Sequence, residues 1–197
     1  MSVYDHVNCE KLNKFAEAAG LGEKIPADFL QFKKYLEKGD KILEIGCGTG
    51  RIGKHLIKKY KYIGIDNHLP YLKCFEDYLT KNKIKLGDND LINVSFENFE
   101  GNDFDIIIFP WTVIGDFSKG EQLRVIKKAK NQLKKEGLVL IDNPTKGTTY
   151  NEAQDYEPCR FYFDEWEEKL NKLFTTTKKI LYTTPTKRVR ELTVLKK

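Results

Sequence analysis

Residues 41–50 read KILEIGCGTG, in which an apolar strand from Lys41 to Ile45 runs directly into glycines at alternate positions, Gly46, Gly48 and Gly50, and then into a segment of helical period. Each glycine answers a separate steric demand. Gly46 permits the tight turn out of the strand, Gly48 removes a side chain where backbone must approach a ligand, and Gly50 lets the next helix lie close to the sheet. The spacing excludes two phosphate binders. A dinucleotide GxGxxG counted from Gly46 needs glycine at position 51, which is Arg51, and no GxxxxGK followed by Ser or Thr occurs.

Beyond this loop, Tyr62 to Asp66, Phe104 to Phe109 and Leu138 to Asp142 are short apolar runs of the kind buried in parallel strands covered on both faces. Between them, Arg51 to Tyr60, Leu69 to Leu79 and Gln122 to Lys135 carry apolar residues at three- and four-residue spacings. That alternation predicts an α/β fold with a doubly wound, mostly parallel sheet and helices on both faces. Two stretches compete for the third strand, Ile84 to Asp88 and Asn93 to Phe99, and the distance to Phe104 favours the second. A helix from Asp164 to Phe174, with Asp164 as its cap, precedes Lys179 to Thr183 and Arg188 to Leu195. These last two lie too close for a parallel crossover, so they pair as a C-terminal antiparallel β-hairpin and complete seven strands. Upstream, a helix over 9–19 follows a cap at Asn8 and stops at Gly20, and a second starts at Pro26 and ends by Gly39.

The 197 residues suit one domain, divided here into an N-terminal helical cap (1–40), a core (41–142) and a loop, helix and hairpin (143–197). No window is apolar enough for a membrane span and the start lacks a secretory h-region, so a cytoplasmic location is expected. Cys9, Cys47, Cys74 and Cys159 form no CxxC pair and no zinc spacing, which predicts reduced thiols and no metal. The net charge of +5 is concentrated at the end, where residues 178–197 hold seven cations against Glu191 alone. Such a tail attracts anions, including nucleic acid, or is simply a solvated face.

Glu44, Gly46, Gly48 and Gly50 together resemble the acidic-x-Gly-x-Gly-x-Gly motif of the class I S-adenosylmethionine-dependent methyltransferases, a Rossmann-like family. The resemblance implies that the loop, Cys47 included, wraps the amino acid part of S-adenosylmethionine, with S-adenosylhomocysteine as product. It also implies that Asp66, twenty residues past Gly46 at the end of YIGID, takes both ribose hydroxyls, with Asn67 beside it. A carboxylate there can accept two hydrogen bonds, although alone Asp66 reads equally well as a strand-end cap. Glu97, Asn98 or Phe99 is the expected adenine neighbour, and Glu44 and Pro110 are further candidate cofactor contacts.

The acceptor belongs beyond the carboxyl end of the fourth strand, where open α/β sheets bind ligands. Phe109 and a single Pro110 stand there in place of the Asn or Asp and paired prolines of amino-methyltransferases that act on nucleic acid bases, so a small-molecule acceptor is favoured over nucleic acid. Trp111 and Thr112 are candidate substrate contacts, with Trp111 either a stacking wall or a core residue. Asp116 either orients an acceptor group or caps the next helix, and Tyr150 lies in a candidate lid spanning 143–163. Tyr4 and His6 are weak catalytic candidates, since transfer from a sulfonium needs alignment more than a base. Competing readings are an RNA- or protein-modifying methyltransferase and a non-catalytic cofactor-binding partner subunit.

Overall fold

The computed structural model describes residues 6–145 and 161–197. Five strands lie parallel: β1 (Lys41–Ile45), β2 (Lys61–Asp66), β3 (Asp90–Asn93), β4 (Phe104–Phe109) and β5 (Leu133–Pro144). The C-terminal pair, β6 (Thr176–Thr183) and β7 (Val189–Lys196), forms an antiparallel hairpin whose second strand inserts beside β5. The resulting order is β3-β2-β1-β4-β5-β7-β6. Near-complete burial of Ile42, Leu43, Ile45, Ile106, Ile107 and Ile108 follows from helices on both faces, and explains why these strands are apolar throughout.

One face is covered by α1 (Cys9–Ala18), α2 (Ala27–Phe32), α3 (Gly53–Leu56) and α4 (Leu69–Lys81), with Phe32, Ile52, Leu56 and Phe75 at the centre of that layer. The other face carries α5 (Lys119–Gln132) and α6 (Phe163–Leu173) over Phe104, Ile126, Ala129 and Leu170. The expected stripe Leu72, Phe75, Leu79 is the buried side of α4, and Val125, Ile126, Ala129 that of α5. Asn8 caps α1 as anticipated, its side chain accepting from the Lys11 amide at 2.8 Å.

Several local expectations are corrected. The third strand is Asp90–Asn93, between the two stretches weighed for it, because Phe96 and Phe99 enter the core from turns to meet Phe109 and Phe104. The helix after the glycine loop regularises only over Gly53–Leu56. Strand β5 begins at Leu133, which takes the last turn assigned to the preceding helix. Asp164 does not cap α6; Tyr162 holds that position, and the Asp164 carboxylate instead accepts from Lys179 Nζ at 2.6 Å. Nor does Asp116 cap α5, where Ser118 and Glu121 form a reciprocal capping box.

The expectation of reduced thiols also fails, since Cys9 and Cys74 form a disulfide. Packing of α1 on α4 brings their Cα atoms to 6.7 Å, within bridging range, although 65 positions separate them in sequence. Cys47 is a buried free thiol. Among the described residues no helix is long and apolar enough to cross a membrane, and no His, Cys, Asp or Glu group could hold a metal ion.

Candidate active site

Strands β1, β2 and β4 end side by side, so the loops leaving them share one rim of the sheet. The Cys47 amide donates to the Ile65 carbonyl at 3.0 Å and the Gly48 amide to Asp66 Oδ2 at 2.8 Å, which pins the glycine loop to the end of β2. Asp66 Oδ1 accepts from the His68 amide, also at 2.8 Å. Each carboxylate oxygen therefore spends one lone pair on backbone and keeps capacity for a further donor. Burial raises the Asp66 carboxyl above its ordinary value, and the two amides oppose that rise.

The glycines divide by what surrounds them. A Cβ at Gly50 would overlap the ring of Phe75, and one at Gly46 would come within 2.7 Å of Val113 Cγ2, so both positions are closed by packing. At Gly48, with φ +52°, a Cβ would meet nothing nearer than Leu12 Cδ2 at 3.7 Å and Asp66 Oδ2 at 3.9 Å. The open cradle is thus at Gly48, bounded by the Asp66 carboxylate and by α1. Asn13 of that helix accepts from the Thr49 hydroxyl at 3.0 Å. Asn67 is exposed on the rim beside Asp66.

Glu44 lies beneath the glycine loop, close enough to Asp66, Arg51 and Cys47 for their charges to act on one another. It is buried and accepts a hydrogen bond from the Tyr62 hydroxyl at 2.7 Å. Burial pushes its carboxyl up to about 8, against a usual 4.5. The folded state therefore keeps a proton that the unfolded chain releases above about pH 4.5, and stability falls as pH rises from there towards 8. Glu44→Gln keeps an acceptor for Tyr62 and cannot ionise. It is expected to match the wild type at pH 5 and to exceed it by a few kcal/mol at pH 8, since holding a proton costs about 1.4 kcal/mol for every pH unit above the value at which the unfolded chain releases it. Urea unfolding at the two pH values checks this.

Past β4, Trp111 and Thr112 take positive φ values of 41° and 69°, a strained conformation for a bulky and a β-branched residue. Contacts from two strands hold it. The Thr112 amide donates to the Asp142 carbonyl of β5 at 2.9 Å, and Arg190 Nη2 of β7 donates to Thr112 Oγ1 at 3.2 Å. Arg190 is itself clamped by the Asp142 carboxylate, with Nη2 to Oδ2 at 2.6 Å, and Tyr182 donates to Oδ1 at 2.5 Å. Trp111 is half-buried and lies 5.6 Å from the Arg51 guanidinium, which a bidentate pair with buried Asp28 fixes at 2.7 and 2.6 Å. Trp111 thus packs partly buried against the core, the second of its two sequence readings. Arg51, Asp28, Asp142 and Arg190 were not anticipated here, because charge partners 23 and 48 positions apart leave no sequence pattern.

Glu97 pairs with Arg124 at 3.6 Å and its carbonyl accepts from Lys128, Asn98 is exposed, and Phe99 is buried against Phe104, all on the α5 side. Asn93 is nearer the cradle, its side-chain amide donating to the Asp66 carbonyl at 2.9 Å. Pro110 is buried, its carbonyl accepting from the Val113 amide. His6 and Asp116 are exposed, and Tyr4 and Tyr150 lie outside the described residues. Several of the seven C-terminal cations are engaged within the fold, among them Arg190 with Asp142, Lys179 with Asp164 and Glu191, Lys196 with Glu136, and Lys197 with the Leu133 carbonyl. A groove of about 460 Å³ lined by Lys58, Lys61, Lys83 and Lys85 sits at the start of β2, roughly 16 Å of strand from Asp66.

A family model described as a methyltransferase domain matches residues 42–137. Over the whole of this chain, a putative O-methyltransferase from Nostoc punctiforme superposes with a TM-score of 0.70 at 20% identity, and the chain spans 63% of that protein's length. A 1,6-didemethyltoxoflavin-N1-methyltransferase from Burkholderia thailandensis, solved with its substrate and S-adenosylhomocysteine, gives 0.71 at 14% identity over 95% of this chain and 82% of its own. An rRNA methylase from Streptococcus thermophilus gives 0.56 at 18% identity over 86% and 92%. No curated protein matches in sequence. At these identities the likenesses establish the fold, and the three proteins differ in acceptor.

Proposed function

We propose that this chain, which belongs to the class I S-adenosylmethionine-dependent methyltransferases, transfers a methyl group to oxygen or nitrogen of a small molecule. The carrying observation is the open backbone at Gly48 facing Asp66, whose two oxygens lie at the carboxyl end of the sheet. When bound, S-adenosylmethionine supplies a methyl carbon activated by its sulfonium, which passes to the acceptor and leaves S-adenosylhomocysteine. The protein's part is to align and to exclude water. Asp66 accepts the ribose hydroxyls, the glycine loop from Gly46 to Gly50 borders the amino acid end, and Asn93 stands on the adenine side. Trp111, fixed by Arg51 and by the strained Thr112, forms the acceptor wall. No general base is assigned.

The chain acts in this reading as one unit in the cytoplasm, with 1–40 as cap, 41–142 as cofactor half and 143–197 as acceptor half. The small-molecule acceptor is supported by Phe109 in place of a polar base-binding residue, and by the engagement of most of the basic tail within the fold. The lysine groove lies at the wrong end of β2 to present a bound strand to the methyl. Calorimetric titration with S-adenosylhomocysteine, followed by transfer of labelled methyl to a panel of phenols, catechols, amines and heterocycles and to bulk RNA, tests the reading. Micromolar binding and labelling within the panel support it. Labelling of RNA alone, or no binding, overturns it.

A further inference from the structure

The covering helix α1 is bound to the cofactor half at two ends by different means. Its C-terminal end runs into Ala19 and Leu21, both buried. Its N-terminal end is held by the Cys9–Cys74 disulfide to α4, and just before it the Tyr71 hydroxyl donates to the Val7 carbonyl at 2.7 Å. Between these anchors the helix has little apolar grip. Of its ten residues only Ala16 is buried, and Phe15 remains 38% exposed. A helix this short is marginal without tertiary support. Yet it supplies Leu12 over the open side of Gly48 and Asn13 to Thr49, so it forms one wall of the cradle.

From this arrangement we propose that the thiol–disulfide state of Cys9 and Cys74 controls how tightly α1 closes over the cofactor, an inference that rests on the cradle being the cofactor site. With the disulfide formed, α1 is clamped shut; with it reduced, the helix swings from its buried hinge at Ala19–Leu21 and the cradle opens. Both cysteines are half-buried, within reach of a small reductant. In the exchange, a thiolate of a dithiol reductant attacks one sulfur, the Cys9–Cys74 bond breaks, and a mixed disulfide forms. The reductant's second thiol displaces it, leaving two protein thiols and an oxidised reductant. Two electrons and two protons pass to the protein. In a reducing compartment such a bond acts as a sensor rather than a permanent staple.

The probe is S-adenosylhomocysteine, titrated into oxidised protein, into protein reduced with dithiothreitol, and into Cys9→Ser and Cys74→Ser. Dissociation is expected to accelerate about tenfold, and Kd to rise several-fold, equally in the reduced protein and both variants. Amide exchange in residues 9–18 should accelerate while β1 and α4 stay protected, which separates helix release from unfolding. Identical binding in all four samples overturns the inference, as does alkylation of Cys9 and Cys74 in the unreduced native protein. Absence of binding even when oxidised would instead overturn the cofactor reading itself.

Discussion

Asp66→Ala is expected to weaken S-adenosylhomocysteine binding by 100-fold or more. Hydrogen bonds to a charged group contribute about 1.5–3 kcal/mol each, and two ribose hydroxyls on one carboxylate make about 3–6 kcal/mol, at roughly 1.4 kcal/mol per tenfold in Kd. A second effect acts in the same direction. Asp66 Oδ2 receives the Gly48 amide, so its removal also releases the loop that lines the cradle. Asp66→Asn keeps one acceptor oxygen and is expected to lose only about tenfold. Calorimetry on the three proteins, with melting temperatures to confirm folding, measures both steps. Equal affinity in wild type and Asp66→Ala would place the cofactor elsewhere and remove the basis of the functional reading.

What made this site legible in sequence is that its parts are local. Strand, glycine turn and helix follow one another within residues 41–56, and the next strand ends at a fixed interval, so Gly48 and Asp66 are brought together by the βαβ unit itself. The parallel strands were equally readable because burial on both faces leaves them apolar throughout. Strand β3 was missed for the converse reason. It lies at the sheet edge, half-exposed, with Asp90 and Asn93 at its ends, and so carries less apolar signal than the buried Phe96 and Phe99 after it. The disulfide and the two buried Arg–Asp pairs were missed because they join residues that only the completed fold makes neighbours. The C-terminal charge shows the same limit: Arg190, counted as part of a basic tail, is 2% exposed and serves the interior.

That burial makes Arg190→Met the substitution with the largest expected cost in stability. Asp142 is 1% exposed, and without the guanidinium it would keep a buried carboxylate supported by Tyr182 alone. Breaking a buried pair by removing one partner costs about 3–5 kcal/mol, since the charge left behind has lost its solvent as well as its counterion. For a chain of this length each kcal/mol moves the melting temperature by about 2–4 °C, so a fall of roughly 6–20 °C is expected. Adding Asp142→Asn removes the orphan charge and keeps a carbonyl for Tyr182, and should recover most of the loss. The double variant still lacks the Arg190 contact to Thr112 Oγ1, so the strained turn should relax even where stability returns. Fluorescence of Trp111, read with Trp166→Phe to silence the other indole, should then shift to longer wavelength. A double variant no more stable than Arg190→Met would mean that lost packing of the long side chain, and not an unpaired charge, sets the cost. Unchanged emission would mean that the Trp111 wall is held by Arg51 and the core rather than by the β7 strand.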